Sequence, residues 1–304
     1  MTDVRNSQAT PAVDPESDRV AHLVDELLAS HPPTSTDERA FLGAQYDAGL
    51  AWVHFPDGYG GLGLSPRLQT LVNTRLAAVG APSPYYRNPI GHGMGAPTVV
   101  THGSDAQKQR YLRPLFTGEE VWCQLFSEPG AGSDVASLAT RAVRDGDEWV
   151  VNGQKVWTTI AHLADRGMLV TRSDPAVPKH RGMTYFALDM RSPGVEVRPL
   201  RQITGEAEFN EVYLTDVRVP DHDRIGDVGD GWRVSLTTLM NERTTIGGGG
   251  SAASKAGAGP IGELVQVWRD LPETERTPVR RDAVMRLWVR AEVGRLTNLR
   301  ASQN

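Results

Sequence analysis

The sequence is nearly devoid of cysteine: Cys123 stands alone among 304 residues. A single thiol cannot form an internal disulfide, fits a reducing cytoplasm, and leaves no basis for a cysteine-ligated zinc. Basic excess is missing too. With 32 Lys and Arg against 37 Asp and Glu, the formal charge is −5, which argues against a nucleic-acid binder with its basic face. No stretch approaches the ~20 apolar residues of a membrane span. Met1 to Pro15 is polar and acidic without an apolar run, so no secretory signal is expected there. Histidines such as His92, His102, His162 and His180 lack the H-x-x-x-H type of spacing, so no metal site is expected.

What is present is the composition of an ordinary globular chain, 39% hydrophobic and 23% charged, long enough for two or three compact regions. Three zones divide it: a helical domain over 1–120, a β domain over 121–231, and the start of a second helical domain over 232–304. In the first zone Val20, Leu23, Val24, Leu27 and Leu28 share one helical face. A second helix is expected from Asp37 with Thr36 as its N-cap, a third over Arg67 to Val79, and a fourth over Ser104 to Leu115. Between the second and third, Pro56-Asp57-Gly58-Tyr59-Gly60-Gly61 is too rich in glycine to stay helical.

The period then changes to two. Glu148 to Val151, Asn152-Gly153, and Lys155 to Trp157 predict a hairpin, because Asn-Gly is the strongest type I′ turn signal. Further strands are expected at Gly167–Thr171, Thr184–Asp189, Val195–Pro199 and Glu208–Val217, which together suggest a small barrel or sandwich. After Gly231 helical spacing returns with Trp232, Val234, Leu236, Leu239 and Met240, and again over Arg280 to Leu299. A break is expected near Gly247, since glycine disfavours a helix interior by roughly 1 kcal/mol. Arg276, Arg280 and Arg281 predict one solvated surface.

Two strings carry the chemistry. In Cys123-Gln124-Leu125-Phe126-Ser127-Glu128-Pro129-Gly130-Ala131-Gly132-Ser133-Asp134, a Gly/Ser loop leaves a strand, so backbone N–H groups can approach a polar or anionic ligand. By itself such a loop is equally a tight turn. In Asn152-Gly153-Gln154-Lys155-Val156-Trp157-Thr158-Thr159, Trp157 and Thr159 are expected on one strand face.

The first string resembles the E-P-x-A-G-S-D signature of the acyl-CoA dehydrogenases, and the second resembles their N-G-x-K-x-W-x-T motif at the expected separation. Phe209-Asn210-Glu211-Val212, Asp216 to Pro220, Asn241-Glu242-Arg243 and the Pro56–Gly61 loop follow the same family's order. The resemblance implies an α+β multidomain fold: an N-terminal helical domain, a middle β-barrel domain, and a C-terminal helical bundle of which this chain holds only the start. It implies FAD as cofactor, an acyl-CoA substrate in lipid metabolism, a homo- or hetero-oligomer, and an electron-transferring flavoprotein as acceptor.

Carried over by residue, the resemblance implies that Gln124, Leu125, Phe126 and Ser127 meet the flavin. Gly132 and Ser133 would lie toward its pyrophosphate or the pantetheine arm. Trp157, Thr158 and Thr159 would cover the ring edge and bond near N5 or O4. Family members most often place the catalytic glutamate beyond this chain's end, while some branches place it where Glu242 stands, with Arg243 as a supporting residue near substrate. His92, Tyr85 and Tyr86 fall where the family lines its acyl pocket, although a structural loop histidine is the plainer reading. Two alternatives stay open. One is a non-catalytic, shortened subunit needing a full-length partner; the other is a different flavin activity, oxidase or N-oxygenase, on the same scaffold.

Overall fold

A computed structural model describes residues 14–247, 256–257 and 260–301. The chain divides into two compact units, one up to Leu239 and one from Met240 onward.

The first unit opens with helices α1 (Pro15–Ser30), α2 (Glu38–Asp47), α3 (Gln69–Ala78), α4 (Pro84–Arg87), α5 (Ala96–His102) and α6 (Asp105–Thr117). Their starts are set by local chemistry. Asp14 accepts from the Glu16 N–H, with Pro15 in the first turn where its missing N–H is harmless. Ser104 and Gln107 form a reciprocal capping box at α6. At α2 the cap is Asp37 rather than Thr36: its carboxylate accepts from the N–H groups of Arg39 and Ala40, two and three residues on. Those are the amides a cap side chain reaches. The expected apolar face of α1 is buried through Val20, Val24 and Leu27. His92 is not in a loop; Gly91–Gly95 forms a π-helical turn. A Cβ on Gly91 would lie 2.4 Å from the Asn88 amide nitrogen, so glycine there lets the turn close over that side chain.

Eight strands follow: β1 (Trp122–Leu125), β2 (Arg141–Asp145), β3 (Glu148–Thr159), β4 (Arg166–Arg172), β5 (Met183–Asp189), β6 (Val195–Leu200), β7 (Phe209–Pro220) and β8 (Arg224–Ile225). The sheet order is β6-β7-β3-β2-β4-β5-β8, with β1 parallel to β4. Three strand steps from β3 to β5 would span roughly 14 Å in a flat sheet. Yet the rings of Trp149 on β3 and Phe186 on β5 meet at 5.6 Å, so the sheet curls over its own core.

The Asn152-Gly153 hairpin is not formed. β3 runs straight through it, and the turn lies at Gly146-Asp147, pairing Asp145 with Glu148; Gly146 takes the positive φ of 63°. The Asn152 side chain instead donates to the Asp216 carboxylate and accepts from the Asp216 backbone N–H, both at 3.0 Å, beside a register shift against β7. Gly153 is needed for closeness, not turning: a Cβ would stand 2.3 Å from the Thr140 hydroxyl.

Strands β4 and β5 are buried on both faces, which explains their unbroken apolar runs. Leu169, Phe186 and Leu188 point into the sheet's own core, with Trp149, Val151, Val212 and Val217. Met168, Val170, Tyr185 and Ala187 point the other way, into a core shared with the helices. The Gln107 amide fastens the two regions by donating to the carbonyls of His222 and Arg224 at 2.7 and 2.8 Å.

Helix α7 (Gly231–Gly247) begins in the first unit, where Val234 joins the helical core and Thr238 meets Thr98 at 2.8 Å and Tyr185 at 3.1 Å. It is described as far as Gly247; the break expected near that residue, with Gly248–Gly250 and Gly259, lies outside the described residues. The second unit contains α8 (Pro260–Asp270) and α9 (Pro278–Ala301), the latter over the expected Arg280–Leu299 segment. Arg280 and Arg281 are exposed there. Arg276 has a structural role, because its guanidinium donates to the Leu271 and Arg269 carbonyls at 2.8 and 2.5 Å, satisfying the end of α8. Among the described residues no helix is long and apolar enough to cross a membrane.

Candidate functional site

The site begins where β1 ends. Side chains alternate along it, so Leu125 faces the sheet core and Phe126 the helical core, edge-on to Tyr185 at 5.9 Å. Both are buried, Leu125 completely. Gln124 and Ser127 are half-buried. Beyond them the loop folds on itself through reciprocal bonds between Glu128 and Ala131, 2.9 and 3.0 Å. Gly130, Gly132 and Ser133 are left exposed at its tip, with open space where a Cβ on either glycine would stand. Asp134 closes the loop, paired with Lys179 at 2.6 Å and bonded to Ser137.

β3 reaches the same place from the other side. Between Lys155 and Thr158 it carries one residue more than β7 opposite. At this bulge Trp157 takes a left-handed backbone, φ 60°, a conformation unfavourable for a bulky L-residue. Both flanks hold it there: the Val156 N–H donates to the Ser127 carbonyl at 2.9 Å, and the Asn210 amide donates to the Thr158 carbonyl at 2.9 Å. Trp157 is 61% exposed, and its indole meets Phe209 edge-on at 6.0 Å. Phe209 is the cross-strand partner of Thr159. Trp157 and the half-buried Thr159 thus lie at one end of the strand, although a bulge and not simple alternation brings them there. Thr158 between them is buried, and its hydroxyl has no hydrogen-bond partner.

One feature of both strings went unread in the sequence. Glu128 of the first and Lys155 of the second form a buried ion pair, 2.9 Å, with Lys155 fully enclosed. The Lys155 ammonium also donates to the Phe126 carbonyl at 3.1 Å, and the Glu128 carboxylate accepts from the N–H groups of Ala139 and Thr140 at 2.6 and 3.0 Å. Burial alone would raise the Glu128 pKa, but the Lys155 charge and these donors outweigh it and hold the carboxyl below its usual range. Burial pushes the Lys155 ammonium down from its usual range, and the Glu128 carboxylate opposes that shift. An opposite charge in each of two apolar-flanked strings was the signal available in the sequence.

The remaining candidates belong to other elements. Glu242, half-buried, and Arg243, exposed, occupy the end of α7 in the second unit. His92 packs among Trp52, Phe116 and Tyr85, with ring centres at 5.1, 5.9 and 6.3 Å, and desolvation lowers its pKa to about 4. Tyr86 is 91% exposed. A cleft of about 960 Å³ opens between α6 and the β7–β8 end of the sheet. It contains none of the residues of the two strings, and its Arg110, Arg166, Arg218 and Arg224 are each already paired with carboxylates.

An exposed aromatic on a strained bulge, an orphaned buried hydroxyl at Thr158, and the open Gly132–Ser133 tip could receive a flat, polar-edged ring system with a phosphate arm. The residues present fit FAD. A helical region, a curled eight-stranded sheet and further helices define an α+β multidomain class of fold, with the β1–β3 junction as its candidate site.

The matches narrow the class to one family. The model for the acyl-CoA dehydrogenase N-terminal domain matches residues 17–119, and that for the middle domain matches residues 123–217. The chain belongs to the acyl-CoA dehydrogenase family. It is 44% identical to acyl-CoA dehydrogenase FadE34 of Mycobacterium tuberculosis over 257 residues, 84% of this chain and 34% of that protein. Among solved structures it resembles the ChsE4-ChsE5 complex from Mycobacterium tuberculosis, with TM-score 0.66 and 28% identity over 97% of this chain and 78% of that one. It likewise resembles the Tcur3481-Tcur3483 steroid ACAD, with TM-score 0.65 and 28% identity over 95% of this chain and 76% of the other. The chain spans about a third of the length of FadE34 and about half (52%) that of IpdE1 from the same organism.

Proposed function

We propose that this chain takes part in the FAD-dependent α,β-desaturation of an acyl-CoA thioester, with the electrons passed on to a carrier flavoprotein. The observation that carries the proposal is the joining of two distant strings into one surface. The Val156 N–H meets the Ser127 carbonyl at 2.9 Å, and the uncovered Trp157 stands beside that junction. When bound there, FAD supplies the acceptor for the β-hydrogen.

The chain's own residues then have distinct roles. The Phe126 and Ser127 backbone with the Ser127 hydroxyl fixes one edge of the ring, and Gln124 and Leu125 support it through the strand. Trp157 covers the ring, while Thr158 and Thr159 offer hydroxyls to its polar edge. Gly132 leaves room for the pyrophosphate or pantetheine arm, and Ser133 donates to it. Glu242 takes the α-proton as general base, a step suited to a carboxylate, and Arg243 holds the neighbouring helix surface or the thioester. Location in the cytoplasm accords with the single thiol.

A second reading is favoured by the neighbour described as the ChsE4-ChsE5 complex, together with the partial span of FadE34 and IpdE1. In it the chain works inside an oligomer, of its own kind or with a different, longer chain. The steroid description of one neighbour makes a ring-bearing acyl group the first substrate to try. Purification from its own host, followed by a visible spectrum and anaerobic addition of acyl-CoA, tests the proposal. A yellow preparation that bleaches supports it; oxygen consumption with peroxide would point to an oxidase or N-oxygenase. A flavin-free preparation that takes up no FAD, alone or with its co-purifying partner, contradicts it.

A further inference from the structure

We propose that the buried Glu128–Lys155 pair is a positioning device that locks the Phe126–Ser127 turn to the Trp157 bulge. The locking stands on geometry alone; that it shapes a flavin surface rests on the function proposed above.

Stability is a poor explanation for the pair. Replacing a buried ion pair by apolar residues of similar size is often neutral or stabilising, because desolvating two charges offsets their attraction. An apolar pair could not do what these side chains do with their remaining valences. The Lys155 ammonium holds the Phe126 carbonyl at 3.1 Å, one residue before the carbonyl that anchors Val156. The Glu128 carboxylate gathers the Ala139 and Thr140 N–H groups, so both ends of the loop that carries Gly132 and Ser133 converge on one point. Trp157 lies two residues beyond Lys155 with φ 60°. A strained residue persists only where its surroundings over-determine it. Here the determination comes from both strings: Lys155 and Val156 grip the turn, and the turn in return fixes the approach to the bulge.

Fluorine NMR of fluorotryptophan-labelled protein reads the bulge directly, with the Trp157 resonance assigned from Trp157→Phe. Glu128→Gln and Lys155→Met each leave one uncompensated buried charge and should lower stability. The double variant removes both charges but leaves the Phe126 carbonyl without its donor. It should unfold at a higher urea midpoint than either single variant, yet show a shifted or broadened Trp157 resonance and FAD binding weakened about tenfold or more. A Trp157 resonance unmoved in the folded double variant overturns the proposal. If the double variant does not fold, hydrogen exchange in the wild-type chain decides. The Val156, Ala139 and Thr140 amides should open together, and Val156 exchanging about a hundredfold faster than the other two would refute the lock. If the wild-type chain takes up no FAD, the functional reading fails, while the resonance still decides the positioning.

Discussion

Replacing Trp157 by glycine and, separately, by alanine separates what its backbone does from what its ring does. The φ of 60° puts an L-residue in the left-handed region, at about 1–2 kcal/mol against the right-handed alternative. Glycine escapes that penalty but loses about 0.4–1 kcal/mol through the greater freedom of its unfolded chain. Loss of the indole's edge contact with Phe209 is common to both variants and cancels. The glycine variant should therefore be the more stable by about 0.5–1 kcal/mol, up to roughly fivefold in the folding constant. Urea unfolding at matched slope reads this as a higher midpoint for glycine than for alanine. With 61% of the residue exposed, neither variant forfeits much packing, and both should lose affinity for FAD. An alanine variant as stable as the glycine variant would show that the bulge does not impose the left-handed conformation. Undiminished FAD binding in both would remove Trp157 from the site.

Other outcomes follow from the same geometry. His92 has a folded pKa of about 4 against about 6.5 when unperturbed, so between those values the unfolded chain binds the extra proton. Its contribution is thus intact above about pH 6.5 and lost as pH falls toward 4, by at most about 3 kcal/mol since part of the residue still meets solvent; His92→Phe should flatten that slope in urea midpoints measured across the window. Asn88, fully buried, donates to the Leu115 and Glu120 carbonyls at 2.9 and 3.0 Å and accepts from Gly91 and Trp122 at 3.2 and 3.0 Å. Asn88→Ala strands all four backbone groups and should destabilise the first unit by about 3 kcal/mol or more, read as a lowered unfolding midpoint. Glu242→Gln should leave FAD content unchanged and abolish bleaching by acyl-CoA, whereas bleaching at the wild-type rate would mean that the base lies elsewhere.

Strand and helix periodicity exposed most of the architecture to the sequence. The segments at Gly167–Thr171 and Thr184–Asp189 became β4 and β5 because double-sided burial demands continuous apolar runs. Local turn chemistry was more deceptive. Asn152-Gly153 has the composition of a type I′ turn, but Asn152 is spent on a long-range pairing with Asp216, and Gly153 yields to the close approach of Thr140. Both demands come from residues remote in sequence, so no local rule could weigh them. Helix α8 went unread although Ile261, Leu264, Val265 and Trp268 hold a helical apolar spacing, because Gly257 and Gly262 stand before and within that segment. In the site, the residue types of both strings were legible, and so was Trp157. The bulge that turns its indole outward, and the ion pair joining the strings, required the register of β3 on β7.

The central claim is that the Phe126–Ser127 turn and the Trp157–Thr159 bulge together form one face of an FAD site. Titration of the purified chain with FAD, alone and with any partner that co-purifies, followed by tryptophan fluorescence, tests it most directly. The account predicts saturable quenching in the wild type, with the Trp157 share of the signal absent and affinity reduced in Trp157→Ala. Saturation with equal affinity in Trp157→Ala, or no saturable binding under either condition, would contradict it.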